Sequence, residues 1–256
     1  MFLPLKDDNP NSQTPIITWA LIIICVLTFI WQSQLTQAES QITIFSYGII
    51  PAHLFGVGNF SFLNPMITPV PAWMTIFTSM FLHGGWMHLG GNMLYLWIFG
   101  DNVESAMGKT RFLIFYLLCG AIAAFGHSIF YPGSSVPMIG ASGAVAGVLG
   151  AYLILYPYAN VKVLVWLLFF ITIINVPAWL VLGFWFIGQF ISQAGNSSGE
   201  PGGVAFLAHI FGFIGGLLLV FKMRKKGVMV FKKQTSKAFS FERKKLQKVR
   251  IPNSGE

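Results

Sequence analysis

Gly140-Ala141-Ser142-Gly143 opens the run Gly143–Tyr156, GAVAGVLGAYLILY, and the reading of that run decides the fold. It carries no charge, and the loop before it, Tyr131 to Pro137, carries none either. Small residues recur at every fourth position: Gly143, Gly147 and Ala151. In a helix such positions share one face. A face of this kind lets a second helix approach closely in lipid. Ser142, between glycines at the start of a buried helix, is either packing material or a nucleophile.

Composition sets the solvent. The chain is 55% hydrophobic and only 9% charged, with a mean hydropathy of +0.68. Soluble domains carry about 25% charged residues. These values predict one polytopic membrane domain. The formal net charge is +8, yet twelve of the sixteen Lys and Arg lie between Lys222 and Arg250, and none lies between Lys6 and Lys109. That distribution reports topology, not a nucleic-acid groove. Cys25 and Cys119 both sit in apolar runs and read as small buried hydrophobes. No disulfide framework, metal-ligand spacing or cofactor motif is present.

The spans follow from apolar runs and breakers. The first is Ile16 to Leu35, after a polar segment that does not read as a secretory signal. Residues 36–85 contain no Lys or Arg but are studded with Tyr47, Phe55, Phe60, Phe62, Trp73, Phe77 and Phe81 and broken by Pro51, Pro65, Pro69 and Pro71. This stretch is expected to be a loop lying partly in the membrane interface, where aromatic rings are favoured. The second span is Trp86 to Gly100, followed by a short charged loop, Asp101 to Arg111. The third is Phe112 to Tyr131, the fourth Ser142 to Tyr156, and the last Val204 to Phe221. The apolar stretch Val161 to Ser192, with Pro177 inside it, holds one span or two. One span places Lys109, Arg111, Lys162 and the basic tail on one side of the membrane, in keeping with the positive-inside rule. The expectation is therefore an all-α membrane protein of six transmembrane helices, with both termini cytoplasmic. Residues 161–174 would be a partly buried connection or an extension of span five. The chain divides into a cytoplasmic segment 1–15, a membrane domain 16–221 and a basic tail 222–256 facing anionic lipid.

Polar groups inside apolar spans are costly and mark candidate function. They are Ser142, His209, His88 and Asn92, with His83 just before the second span. The fourth span, about 15 residues, is roughly 22 Å long, short of a hydrocarbon core of about 30 Å. Ser142 and His209 then lie at similar depth below the outer surface. Ala208, Gly212 and Gly216 form a second small face, which would let the two helices bring Ser142 and His209 into hydrogen-bond reach. His88 and Asn92, four apart, share a face and offer two side-chain donors at that depth. No Asp or Glu lies in any expected span. On the residues alone, helix packing or a proton or solute path in a small transporter accounts for the same set.

Three motifs together carry a family resemblance: His83-Gly84-Gly85-Trp86-Met87-His88-Leu89-Gly90-Gly91-Asn92, Gly140-Ala141-Ser142-Gly143, and Ala208-His209-Ile210-Phe211-Gly212-Phe213-Ile214-Gly215-Gly216. In order and spacing the chain resembles a bacterial-type rhomboid intramembrane serine protease. The resemblance implies a six-helix rhomboid-like bundle with a long interfacial first loop. It also implies Ser142 as nucleophile, His209 as general base, and an oxyanion hole of His88, Asn92 and the Ser142 backbone. Gly140, Gly143, His83, Gly212 and Gly216 support this site. The implied function is an endopeptidase, without metal or other cofactor, that cuts in or near the transmembrane segments of membrane-protein substrates. The implied location is the bacterial inner membrane, with the lipid bilayer as partner and nucleic acid excluded. Span five (Trp179, Phe184, Trp185, Phe190) and the first loop would form a lateral entry. A catalytically inactive relative that binds membrane clients is the alternative within the family. Nothing in the sequence assigns an oligomeric state. Two positions depart from the family pattern. Trp73 is followed by Met74 where the family often has Arg, and Ala146 stands where an aromatic residue often stacks on the histidine. Another group, for example one from a neighbouring span, must then hold the His209 ring, or the ring is held less tightly.

Overall fold

The computed structural model describes residues 2–9, 13–57, 69–167, 169–195 and 206–233. Phe60, Phe62, Pro65, Val204, most of the connection 193–203 and the tail beyond residue 233 lie outside that set. The described chain is mostly helical. In order it forms β1 (Phe2–Asp7), α1 (Ile16–Gln32), α2 (Gln37–Tyr47), α3 (Pro51–Phe55), α4 (Thr75–Thr78), α5 (Trp86–Met107), α6 (Lys109–Phe130), α7 (Ser142–Leu155), β2 (Asn160–Leu167), β3 (Phe170–Pro177), α8 (Ala178–Gly195) and α9 (Phe206–Met223). By length and composition, α6 and α9 are long and apolar enough to cross a membrane, while α1, α7 and Ala178–Ile191 of α8 are shorter apolar helices.

The centre of the bundle is α7, pressed between α6 and α9. Its glycines make the contact backbone to backbone. A Cβ on Gly212 would collide with the Gly143 carbonyl, and one on Gly216 with the Gly147 carbonyl. On the α6 side, a Cβ on Gly143 or Gly147 would strike the side chains of Ala123 or Cys119. Helices without Cβ atoms at the crossing approach more closely than ordinary side chains allow. Around this seam Phe99, Phe112, Phe115, Tyr116, Tyr152 and Phe213 are fully buried.

Four expectations are corrected. First, Asp101–Arg111 is not a loop: α5 runs through Asp101 to Met107, and only Gly108, at φ +84°, separates it from α6. Glu104 is tolerated there because it caps another helix. Buried Glu104 accepts from the Ile17 and Thr18 N–H groups at 3.0 and 2.8 Å and from the Thr18 hydroxyl at 2.8 Å. A carboxylate there satisfies orphan donors at the N-terminus of α1 and complements its dipole. Second, α5 therefore carries carboxylates that the expected span, ending at Gly100, excluded. Third, residues 36–85 are not a simple loop. Thr36 and Glu39 form a capping box that starts α2, and Ile49 pairs with Met138 at 2.8 and 3.0 Å.

Fourth, the fold is not all-α. The partly buried connection between α7 and α8 is not an extension of the fifth helix but an antiparallel hairpin, β2–β3, which β1 extends to three strands. Val161, Val163 and Val165 alternate along β2 and are buried in the core. Alternating β-branched residues fit one buried sheet face. The sheet also carries Asp7 into the bundle end. Its carboxylate accepts from the Tyr152 hydroxyl at 2.5 Å and from Asn102 Nδ2 at 2.9 Å.

This buried carboxylate gives the chain a pH-dependent stability. Burial pushes the Asp7 carboxyl up from 3.8 to about 7; the Tyr152 hydroxyl opposes the shift, and Asp101 and Asp8 add to it. Between those two values the folded chain holds a proton that the unfolded chain has released. Stability from this group therefore falls as pH rises from 3.8 to about 7 and levels off above it. The Asp7→Asn variant is expected to lose that component. Thermal melts in detergent across this window will show it as a stability gain that grows with pH. A difference independent of pH would contradict the assignment.

Candidate active site

Ser142 is the first residue of α7. The turn before it requires glycine at residue 140 on two grounds. Gly140 has φ +124°, a left-handed conformation that side chains disfavour, and a Cβ there would lie 2.7 Å from His88 Nε2. The Gly140 N–H donates to the Ser79 carbonyl at 2.9 Å, which ties the turn to the segment before α5.

The glycine seam between α7 and α9 places His209 opposite the serine. His209 Nε2 lies 2.7 Å from Ser142 Oγ. The histidine is buried, 8% exposed. Its other ring nitrogen, Nδ1, lies 2.7 Å from Gln189 Oε1 on α8. Trp185, one turn before Gln189, sets its ring 5.9 Å from the imidazole, tilted by 37°. Ala146 is buried in α7, and the ring is flanked by these two α8 side chains and, edge-on at 6.3 Å, by Phe206 of its own helix. Sequence reasoning asked for a support from a neighbouring span but did not name Gln189. The signal was present: Gln189 is the one amide in the apolar stretch Ala178–Ile191. Trp185, expected at a lateral entry, is half-buried and lines the cavity beside His209, and Phe184 is 71% exposed.

His88 and Asn92 come from the first turns of α5. The Gly84 N–H donates to His88 Nδ1 at 3.4 Å. A backbone N–H can only donate, so the His88 proton resides on Nε2. That nitrogen faces the Gly140 turn. Asn92 Nδ2 lies over the same turn, 3.8 Å from the position of a Gly140 Cβ, and is buried with no hydrogen-bond partner. An orphaned buried donor is uncommon and calls for a ligand or water. Both donors line a cavity of about 1100 Å³ together with Ser142, His209, Gln189 and Trp185. His127 lines it too. His83 sits behind this wall. It is buried, its ring meets that of His88 edge-on at 5.4 Å, and its backbone N–H donates to Gln32 Oε1 of α1 at 3.1 Å. His53 lies in α3 and is not among the residues lining the cavity. Among the described residues, no group of three or more His, Cys, Asp or Glu is arranged to hold a metal ion.

Fold and site together define a helical membrane protein with a serine and a histidine paired in a buried, donor-lined cavity. Comparison with known proteins agrees in class. The rhomboid domain profile matches residues 71–226. The chain is 32% identical over 150 residues to Rhomboid protein 1, mitochondrial, of Saccharomyces cerevisiae; the match covers 57% of this chain and 40% of that protein. It is 30% identical over 156 residues to the putative rhomboid protease YdcA of Bacillus subtilis, covering 58% and 66%. Against the rhomboid protease GluP of the same organism it is 37% identical over 134 residues, covering 51% and 25%. The matches thus span less than two thirds of each of these relatives. The chain belongs to the rhomboid family, whose members are integral membrane proteins and include intramembrane serine proteases.

Proposed function

We propose that this protein is an intramembrane serine endopeptidase that cleaves membrane-protein substrates in or near their transmembrane segments. The observation that carries this reading is the 2.7 Å approach of Ser142 Oγ to His209 Nε2 inside the cavity. In the proposed reaction His209 takes the hydroxyl proton as Ser142 attacks the peptide carbonyl. The oxyanion so formed accepts from His88 Nε2–H, from Asn92 Nδ2–H and from the Ser142 N–H at the start of α7, where the helix dipole favours negative charge. His209 then protonates the leaving amine. Water, activated by the same imidazole, releases the acyl group from Ser142.

The architecture that accompanies this reading has six spans, α1, α5, α6, α7, α8 and α9, with 16–221 as the protease domain. It places residues 1–15 and the basic tail 222–256 on the cytoplasmic side of a bacterial inner membrane. The positive-inside distribution of Lys and Arg supports that orientation. A reporter fused at residue 256 and found outside would overturn it.

The decisive experiment is cleavage of a reference transmembrane substrate in proteoliposomes, with fluorophosphonate labelling of Ser142 in parallel. Asn92→Ala is expected to lower kcat by about 10²- to 10³-fold, the effect of deleting one oxyanion donor. KM should change little, because the bond forms in the transition state. A rate within a few-fold of wild type would remove Asn92 from the oxyanion hole.

A further inference from the structure

We propose that Gln189 is the positioning residue of this site, standing where a carboxylate completes a Ser–His–Asp arrangement, and that it makes the competence of the base depend on the seating of α8. The proposal rests on the Ser142–His209 reading and extends it.

Hydrogen-bond polarity follows from the helix backbone. Gln189 Nε2 donates to the Trp185 carbonyl, four residues back, at 3.2 Å. A carbonyl only accepts, so the amide cannot be flipped without setting two acceptors against each other. Gln189 Oε1 must then face the imidazole, and it lies 2.7 Å from His209 Nδ1. Because Oε1 also only accepts, the His209 proton resides on Nδ1. The lone pair is left on Nε2, 2.7 Å from Ser142 Oγ, ready to accept the hydroxyl proton. The chain of contacts Trp185 carbonyl, Gln189 amide, His209 imidazole, Ser142 hydroxyl selects one tautomer and one ring orientation. A triad carboxylate performs the same selection. Here a neutral group does so, without placing an ion in a buried membrane site.

The selecting group stands on α8, whose glycines make no close helix–helix crossing. Gly183 and Gly188 of α8 have open space where a Cβ would stand, whereas Gly143, Gly147, Gly212 and Gly216 on α7 and α9 have none. Near the site α8 is seated by the His209–Gln189 bond, by the Trp185 ring against those of His209, Phe213 and Tyr95, and by the stacking of Phe186 on Phe213, with ring centroids 4.3 Å apart. When α8 moves outward it takes Oε1 with it, and the imidazole loses its tautomer restraint.

The test compares wild type, Gln189→Leu, Gln189→Glu and Phe186→Ala in proteoliposomes with a reference transmembrane substrate. Gln189→Leu is expected to lower kcat by about 10²- to 10⁴-fold, the scale seen when a catalytic histidine is held in the wrong tautomer. KM and the melting temperature should stay close to wild type. Gln189→Glu restores an acceptor of equal reach and should recover at least about tenfold of the loss. Phe186→Ala should slow wild type but add little to Gln189→Leu, because both act through α8 seating. A Gln189→Leu enzyme with near-normal kcat would overturn the proposal while leaving the dyad intact. Cleavage that survives Ser142→Ala would instead remove the dyad reading beneath it. Loss in Gln189→Leu with a lowered melting temperature and no recovery in Gln189→Glu would assign Gln189 a packing role only.

Discussion

Ser142→Ala and His209→Ala are each expected to abolish peptide cleavage, by about 10⁴-fold or more, with no loss of folded protein. The size follows from how a nucleophile and its base act. They form one unit, so removing either member costs nearly as much as removing both. The double variant should therefore be no slower than the slower single one. Structural cost is small at Ser142, because the hydroxyl's one observed partner is the His209 ring. His209→Ala does open a buried space beside Trp185, so its melting temperature should fall modestly. Fluorophosphonate labelling separates the two roles. It should vanish in Ser142→Ala, for want of the atom attacked, and be strongly slowed in His209→Ala. Undiminished cleavage by either variant would sink the assignment of this pair.

Gly216→Val is the second large effect, and it acts without touching a reacting group. A Cβ at Gly216 would overlap the Gly147 carbonyl and stand 2.6 and 2.7 Å from the Gly147 carbonyl carbon and Cα. These are backbone atoms of α7, so no side chain can swing aside. The crossing has to open, and α9 must shift away from α7. Overpacking a buried contact costs about 1–3 kcal/mol even where side chains can yield. The same shift carries His209 off Ser142, two turns along α9. A misplacement of about 1 Å at a reacting pair costs on the order of 10² in rate. Gly216→Val should therefore lower both the melting temperature and kcat, the latter by about 10²-fold or more. Gly183→Ala is the matched control. It lies in open space on α8, so it should keep activity and gain slightly from helix propensity. Equal behaviour of the two variants would mean that the seam does not set the site.

Much of this site was legible in the chain as polar residues placed where lipid penalises them. Ser142, His209, His88 and Asn92 stood out because each interrupts an apolar run. The four-residue recurrence of small residues on α7 and α9 indicated which faces meet. Local chemistry sufficed for both. The length of α5 was not legible, because Asp101 and Glu104 look like loop residues until the N-terminus of α1 is brought to Glu104 from 86 residues away. Nor was the β1–β2–β3 sheet. An alternating apolar strand and an apolar helical segment look alike when the run is continuous, and the deciding partner, Phe2–Asp7, lies about 160 residues upstream.

The sequence by itself determined the solvent of this protein, the family and the inventory of candidate reacting groups. These depend on residue type and spacing along one helix at a time. Tertiary structure decided what holds the candidate base, His209. Gln189 is an ordinary amide in an apolar helix until α8 lies against α9. Only then does the amide, held within α8 by the Trp185 carbonyl, meet the His209 ring, which faces Ser142 on its other side. Which groups meet the His209 ring depends on the atoms that face each other across helices, and no spacing within a single chain segment encodes that.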